Sequence, residues 1–157
     1  MISFRWNHTY LASLSLFWLT GCQVSAVSDI ARGGELFDLW CSACHGTEGQ
    51  GNRQTGAPAI AGLPEWYLDA QLNGFQSGFR GKHKDDPTGQ TMQRMSFVAL
   101  VQEGDLPSVA KYVASLEPQL PDLTIVGDPS LGADSYRVCA NCHGVAGRGN
   151  EELRAPP

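Results

Sequence analysis

Positive charge is scarce in this chain. Across its 157 residues, eleven Lys and Arg stand against sixteen Asp and Glu, a formal net charge of −5. That balance lacks the basic patch a nucleic-acid partner needs, so no nucleic acid is expected. Charge of either sign is also low, at 17% of residues, beside 42% hydrophobic residues, which favours a globular chain over a disordered one. Strand-like alternation is missing as well, so an all-α class is expected. The apolar run from Leu11 to Leu19 is too short to span a bilayer.

What that run offers instead is an export signal. Arg5 supplies the charged start, and the run ends in Leu19-Thr20-Gly21-Cys22, which resembles a bacterial lipobox. On that reading 1–21 is removed, Cys22 becomes the lipidated N-terminus and 22–29 is a tether. Ordinary secretion with cleavage after Val24-Ser25-Ala26 is the alternative. Either route places the mature chain outside the cytoplasm, in a bacterial periplasm, and lipidation would add a membrane anchor. There are five cysteines, Cys22, Cys41, Cys44, Cys139 and Cys142. Lipidation of Cys22 accounts for the odd one and leaves two pairs.

The two pairs belong to a duplication. "CSACHGTEGQGNRQTGAP" (41–58) and "CANCHGVAGRGNEELRAP" (139–156) align at a constant offset of 98 residues without a gap, and nine of their eighteen positions are identical. A period of that size is a domain, not a solenoid repeat. Pro118, Pro121 and Pro129 mark a linker between the copies. The expected organisation is a first domain over 30–117, a linker over 118–130 and a second domain opening at 131. The second copy supplies thiols, His143 and a loop to Pro156, with no later Met and no closing helix. Its domain is therefore expected to be truncated.

Helices are expected around "DIARGGELFDLWCSACH", where Leu36, Phe37 and Trp40 share a face. A second is expected over "LPEWYLDAQLNGF", with Pro64 and Glu65 in its first turn and Trp66, Leu68, Leu72 and Phe75 as its stripe. A third is expected over "GDLPSVAKYVASLEP", with Asp105 as N-cap and Leu106, Val109, Val113 and Leu116 recurring at helical spacing.

C-x-x-C-H reads as covalent attachment of c-type haem. Two thiols one helical turn apart reach two vinyl groups on one porphyrin edge, and the next residue turns its imidazole to the iron. That assigns Cys41 and Cys44 to thioethers and His45 to the iron, and repeats the assignment at Cys139, Cys142 and His143. Three readings compete. A thioredoxin-type pair expects a βαβ setting and no following His. Paired C-x-x-C zinc motifs normally lie far closer together than these two do. Disulfides within C-x-x-C would be strained.

With "CSACHGTEGQGN", "GAPAIAGLPEWYLDAQLNGFQSGFRGKHKDD" and "GQTMQRM", the chain resembles the dihaem class I cytochromes c, two such domains in tandem. The resemblance covers 30–117 in full and 131–157 as the start of a second domain. It implies the cytochrome c fold, a small helical bundle around covalent haem. It also implies that the Pro58 carbonyl accepts the Nδ1–H of His45, with Pro156 matching it in the second copy. The sixth iron ligand would be Met92, with Met95 the alternative. His83 reads as a solvated loop residue, with iron ligation the weaker reading, and Arg80, Lys82 and Lys84 read as surface charges, with a place near the haem propionates or in a docking face the weaker one.

The function implied is electron carriage between respiratory redox proteins, a donor and an acceptor expected in membrane complexes. A dihaem peroxidase-like oxidoreductase is one alternative. An electron-transfer subunit of a larger oxidase or dehydrogenase is the other.

Overall fold

The computed structural model describes residues 26–119 and 127–157. The export segment, Cys22 and most of the expected linker lie outside them. The described residues are helical, and the isolated bridges Asn52–Ala57 and Asn150–Ala155 are their only β pairing.

Helix α1 (Ala26–Leu36) runs through a π turn at Phe37–Cys41 into the short α2 (Ser42–His45). Helices α3 (Glu65–Gln76), α4 (Pro87–Ala99) and α5 (Asp105–Ser115) complete the first repeat, and α6 (Pro129–His143) opens the second. The π turn corrects one expectation. Its wider winding rotates Trp40 off the face that buries Leu36 and Phe37, because i→i+5 bonding adds residues to each turn. Trp40 comes to line a cavity instead.

The core is where α1, α3 and α5 meet. Phe37 and Ala110 are fully buried, with Leu68, Leu72, Val109 and Val113 around them, and Leu106 and Leu116 pack at the margin. Of the expected α3 stripe, Leu68, Leu72 and Phe75 are buried while Trp66 stays half-buried at the surface. Helices α1 and α5 cross at Gly33. A Cβ there would collide with the Ser108 carbonyl oxygen and lie 2.8 Å from Tyr112 Cβ, so only hydrogen fits the crossing.

Helix α4 was not among the expected helices. Its start is nonetheless written locally. Asp86 accepts the Gly89 N–H at 2.8 Å as N-cap, and Pro87 occupies the first turn. Gln76 ties α3 to α4 by donating to the Ser96 and Leu100 carbonyls at 3.1 and 3.2 Å. Pro129, counted among the linker's helix breakers, is instead the first residue of α6. There its missing N–H costs nothing, and Asp128 caps the turn through Ser130 at 2.8 Å.

Asp105 also differs from expectation. Gly104 occupies the cap position at φ 91°, and Asp105 is the first helical residue. Its buried carboxylate turns back to accept the Gln102 N–H at 2.9 Å and the Arg32 guanidinium at 3.0 Å. Burial pushes its pKa up, but those donors and the Arg32 charge outweigh it and hold the carboxyl below its ordinary value. The pair pins the start of α5 to α1.

Gly33→Ala is predicted to cost about 1–3 kcal/mol, the usual range for overpacking. Gly34→Ala meets only the Tyr112 ring, at 3.1 Å, and should shift the thermal midpoint far less. Asp105→Asn should cost about 1–2 kcal/mol at neutral pH, kept modest because the Arg32 side chain is 40% exposed. Since the folded-state pKa is depressed, this stabilisation is whole above about pH 4 and is lost as pH falls through the folded value. Urea midpoints at pH 7 and pH 3 should therefore converge between wild type and Asp105→Asn in acid.

Candidate haem site

The first motif sits where α1 gives way to a glycine-rich loop. The π turn delivers Cys41, and α2 delivers Cys44 and His45. Past His45 the chain leaves the helix through Gly46 at φ 81°, and the loop folds back on itself. Gly51 N–H donates to the His45 carbonyl at 2.7 Å, and Asn52 and Ala57 exchange backbone bonds at 2.8 and 3.0 Å. This return brings the Pro58 carbonyl 2.9 Å from His45 Nδ1. A carbonyl can only accept, so Nδ1 carries the proton and Nε2 is left with its lone pair. Nε2 makes no hydrogen bond among the described residues.

His45 is buried, and burial lowers its pKa despite the opposing pull of the Pro58 carbonyl, so the neutral imidazole is favoured. The Cys41 thiol is pushed up to about 11, by burial first and by the neighbouring Cys44 second. A thiol-exchange centre needs the opposite shift, toward thiolate. Both cysteines are free thiols. Among the described residues no strand is present to make a βαβ setting, and no group of three or more His, Cys, Asp and Glu stands together as a zinc site would require.

Two adjoining cavities, about 270 and 560 Å³, share Cys41, His45, Leu72, Thr88, Met92 and Val109 in their walls. Together they fall within the size range of cofactor sites, ~300–1,000 Å³. Trp40, Ala99 and Leu100 line the smaller one, Phe37, Leu68 and Phe75 the larger, so the walls are largely apolar. Met92 lines both cavities and Met95 only the smaller. Free paired thiols, an imidazole with one nitrogen committed and the other open, a thioether and dry walls are the donor set and container that haem c requires. The residues present fit that group.

The sequence reading left three contributors to this site unassigned: the π turn, Trp40 as a wall, and helix α4 as the carrier of both methionines. Only α4 had a local signal, the Asp86-Pro87 start. Arg80, read as a surface charge, lines the larger cavity; its Cζ lies 4.4 Å over the Phe75 ring and its Nη1 donates to Gln71 Oε1 at 2.7 Å. His83 stays exposed beside Asp85.

The second motif reproduces the loop bond for bond. Gly149 N–H reaches the His143 carbonyl at 2.9 Å, Asn150 and Ala155 exchange bonds at 2.7 and 2.9 Å, and His143 Nδ1 lies 2.7 Å from the Pro156 carbonyl. Cys139 and Cys142 are free and exposed, and no residue of α6 is buried.

Residues 30–117 match the sequence profile of the Cytochrome c family. The chain is 31% identical to the Cbb3-type cytochrome c oxidase subunit FixP of Azorhizobium caulinodans, over 78% of this chain and 41% of that protein. It is 32% identical to Cytochrome c-554(547) of Halothiobacillus neapolitanus, over 57% of this chain and 98% of that protein. It therefore spans about two fifths of the length of the oxidase subunit and, over part of itself, nearly all of the smaller protein. Among solved structures, thiosulfate dehydrogenase (TsdBA) from Marichromatium purpuratum shares the fold, with a TM-score of 0.62 at 24% identity, covering 82% of this chain and 29% of that one.

Gly51 stands against the Pro58 carbonyl carbon, 2.7 Å from where a Cβ would lie, at φ 82°. Gly51→Ala is predicted to push Pro58 off His45 and cost about 2–3 kcal/mol. The slowly exchanging His45 Nδ1 proton should disappear from the NMR spectrum.

Proposed function

The chain belongs to the cytochrome c family, and from that premise we propose that it carries single electrons between redox proteins of a bacterial periplasm. The observation that carries this reading is the first site: one cavity walled by Cys41, Cys44, a neutral His45 and Met92. Family membership implies haem c at this motif, and when bound it supplies a one-electron Fe(II)/Fe(III) couple.

In this proposal Cys41 and Cys44 would tether the cofactor as thioethers, and His45 would offer Nε2 to its iron. Pro58 holds the Nδ1 proton, which fixes the tautomer and raises the basicity of the ligating nitrogen. Met92 would supply the second iron ligand, and a His/Met pair raises the reduction potential. Met92 is preferred to Met95 because it lines both cavities and packs against the core. The apolar walls exclude water and lower the cost of reorganisation. Arg80, the only Lys or Arg among the described residues lining either cavity, would meet the cofactor's carboxylates. Cys139, Cys142 and His143, with Pro156, would form a second site of the same type.

Export through 1–21 and lipidation at Cys22 would keep the carrier near membrane respiratory complexes. Among the described residues no helix is long and apolar enough to cross a membrane. A second reading, an electron-transfer subunit of a larger enzyme, is supported by the name of one relative, an oxidase subunit. In either case the chain itself makes and breaks no substrate bond.

The test is spectroscopic. Met92→Leu should abolish the weak red-end absorption of Met–Fe(III) in the first site and lower its potential, and Met95→Leu should leave both in place. Loss of the band in Met95→Leu alone would transfer the role to Met95. A high-spin first site in the unsubstituted protein would contradict the carrier reading.

A further inference from the structure

The two motif loops share one backbone path but differ at one telling position. Gly56 donates its N–H to the Arg53 carbonyl at 3.3 Å with φ 71°, and its counterpart 98 residues on, Arg154, donates to Glu151 at 2.9 Å with φ 54°. Arg154 is the one non-glycine residue in the left-handed region among the described residues. That conformation costs any residue with a Cβ, and the first copy avoids the cost with glycine.

The Arg154 side chain does not lie over its own loop. Its Cζ sits 5.6 Å from the centroid of the Trp66 ring, at the start of α3 in the first repeat. That distance is within reach of a cation–π contact. Trp66 is itself held edge-on by Tyr67 at 5.8 Å. A further feature places the second loop on the same face. Pro157 lines the larger cavity beside Tyr67 and Gln71.

We propose that the second repeat docks through its motif loop onto the N-terminal face of α3, with Arg154 on Trp66 as the latch. The strained backbone at Arg154 is kept because glycine there would have no side chain to reach across. The equivalent position of the first repeat has no such use: a Cβ on Gly56 would meet only Thr88 Cγ2, at 3.0 Å, within its own domain. The latch sets the second motif beside the cavity of the first. It rests on the packing of the two repeats and not on which methionine ligates.

The test uses the full chain with haem attached and reduced, so that its NMR spectrum is diamagnetic. The Arg154 side-chain protons should resonate upfield under the Trp66 ring and return to ordinary positions in Trp66→Leu. Trp66→Leu should also raise the unfolding equilibrium constant about two- to fivefold more in the wild-type background than in Arg154→Gly, the coupling expected of an exposed cation–π pair. Trp66→Met, which also removes the aromatic ring, serves in place of Leu if the latter does not fold. Equal effects in the two backgrounds, or Arg154 resonances indifferent to the Trp66 replacement, overturn the latch.

Discussion

The site depends on a single hydrogen bond made by a backbone carbonyl. His45 Nδ1 lies 2.9 Å from the Pro58 oxygen, and that contact decides which nitrogen of the ring is left to bind a metal. Thirteen residues separate donor and acceptor in sequence, and the glycine-rich loop exists to close that gap. Gly51 approaches Pro58 so closely that no side chain fits between them. The Asn52–Ala57 bridge then fixes the angle at which the carbonyl arrives. The same bond recurs at His143 and Pro156 at 2.7 Å, although the surrounding helix is exposed. The loop thus carries its own geometry, and burial of the imidazole is added by the domain around it.

That domain is held by the crossing of α1 and α5 at Gly33 and by the Arg32–Asp105 pair. With those helices locked, α3 supplies one wall of the cavity and α4 is hung from α3 by Gln76. Position of the methionines is therefore inherited from α3, not from the motif. This division explains how one chain can hold a walled cavity at the first motif and a second motif with the same loop but no enclosing wall among the described residues.

The motif, the repeat and the helices α3 and α5 were legible because each has a local signature: thiol spacing, an exact offset, an apolar period. Helix α4 was less so. Its polar Gln90, Thr91, Gln93 and Arg94 dilute the period, and only the Asp86-Pro87 start announces it. Trp40 was misplaced because a π turn shifts the face of every residue after it, and no residue type signals such a turn. Asp105 was read as a cap because sequence shows the residue but not Arg32, seventy-three positions away, toward which it turns. The exchange of Gly56 for Arg154 was visible in the alignment of the copies, but its meaning required knowing that the loop demands a positive φ and that Trp66 lies within reach.

The most direct measurement concerns the bond between cofactor and chain at the first motif. The protein would be matured in a host that attaches haem, in a Cys139→Ala/Cys142→Ala variant that leaves only Cys41 and Cys44, then denatured and extracted with acidified organic solvent. The account predicts that the colour stays with the polypeptide. Colour passing into the solvent, or a colourless protein, would contradict it.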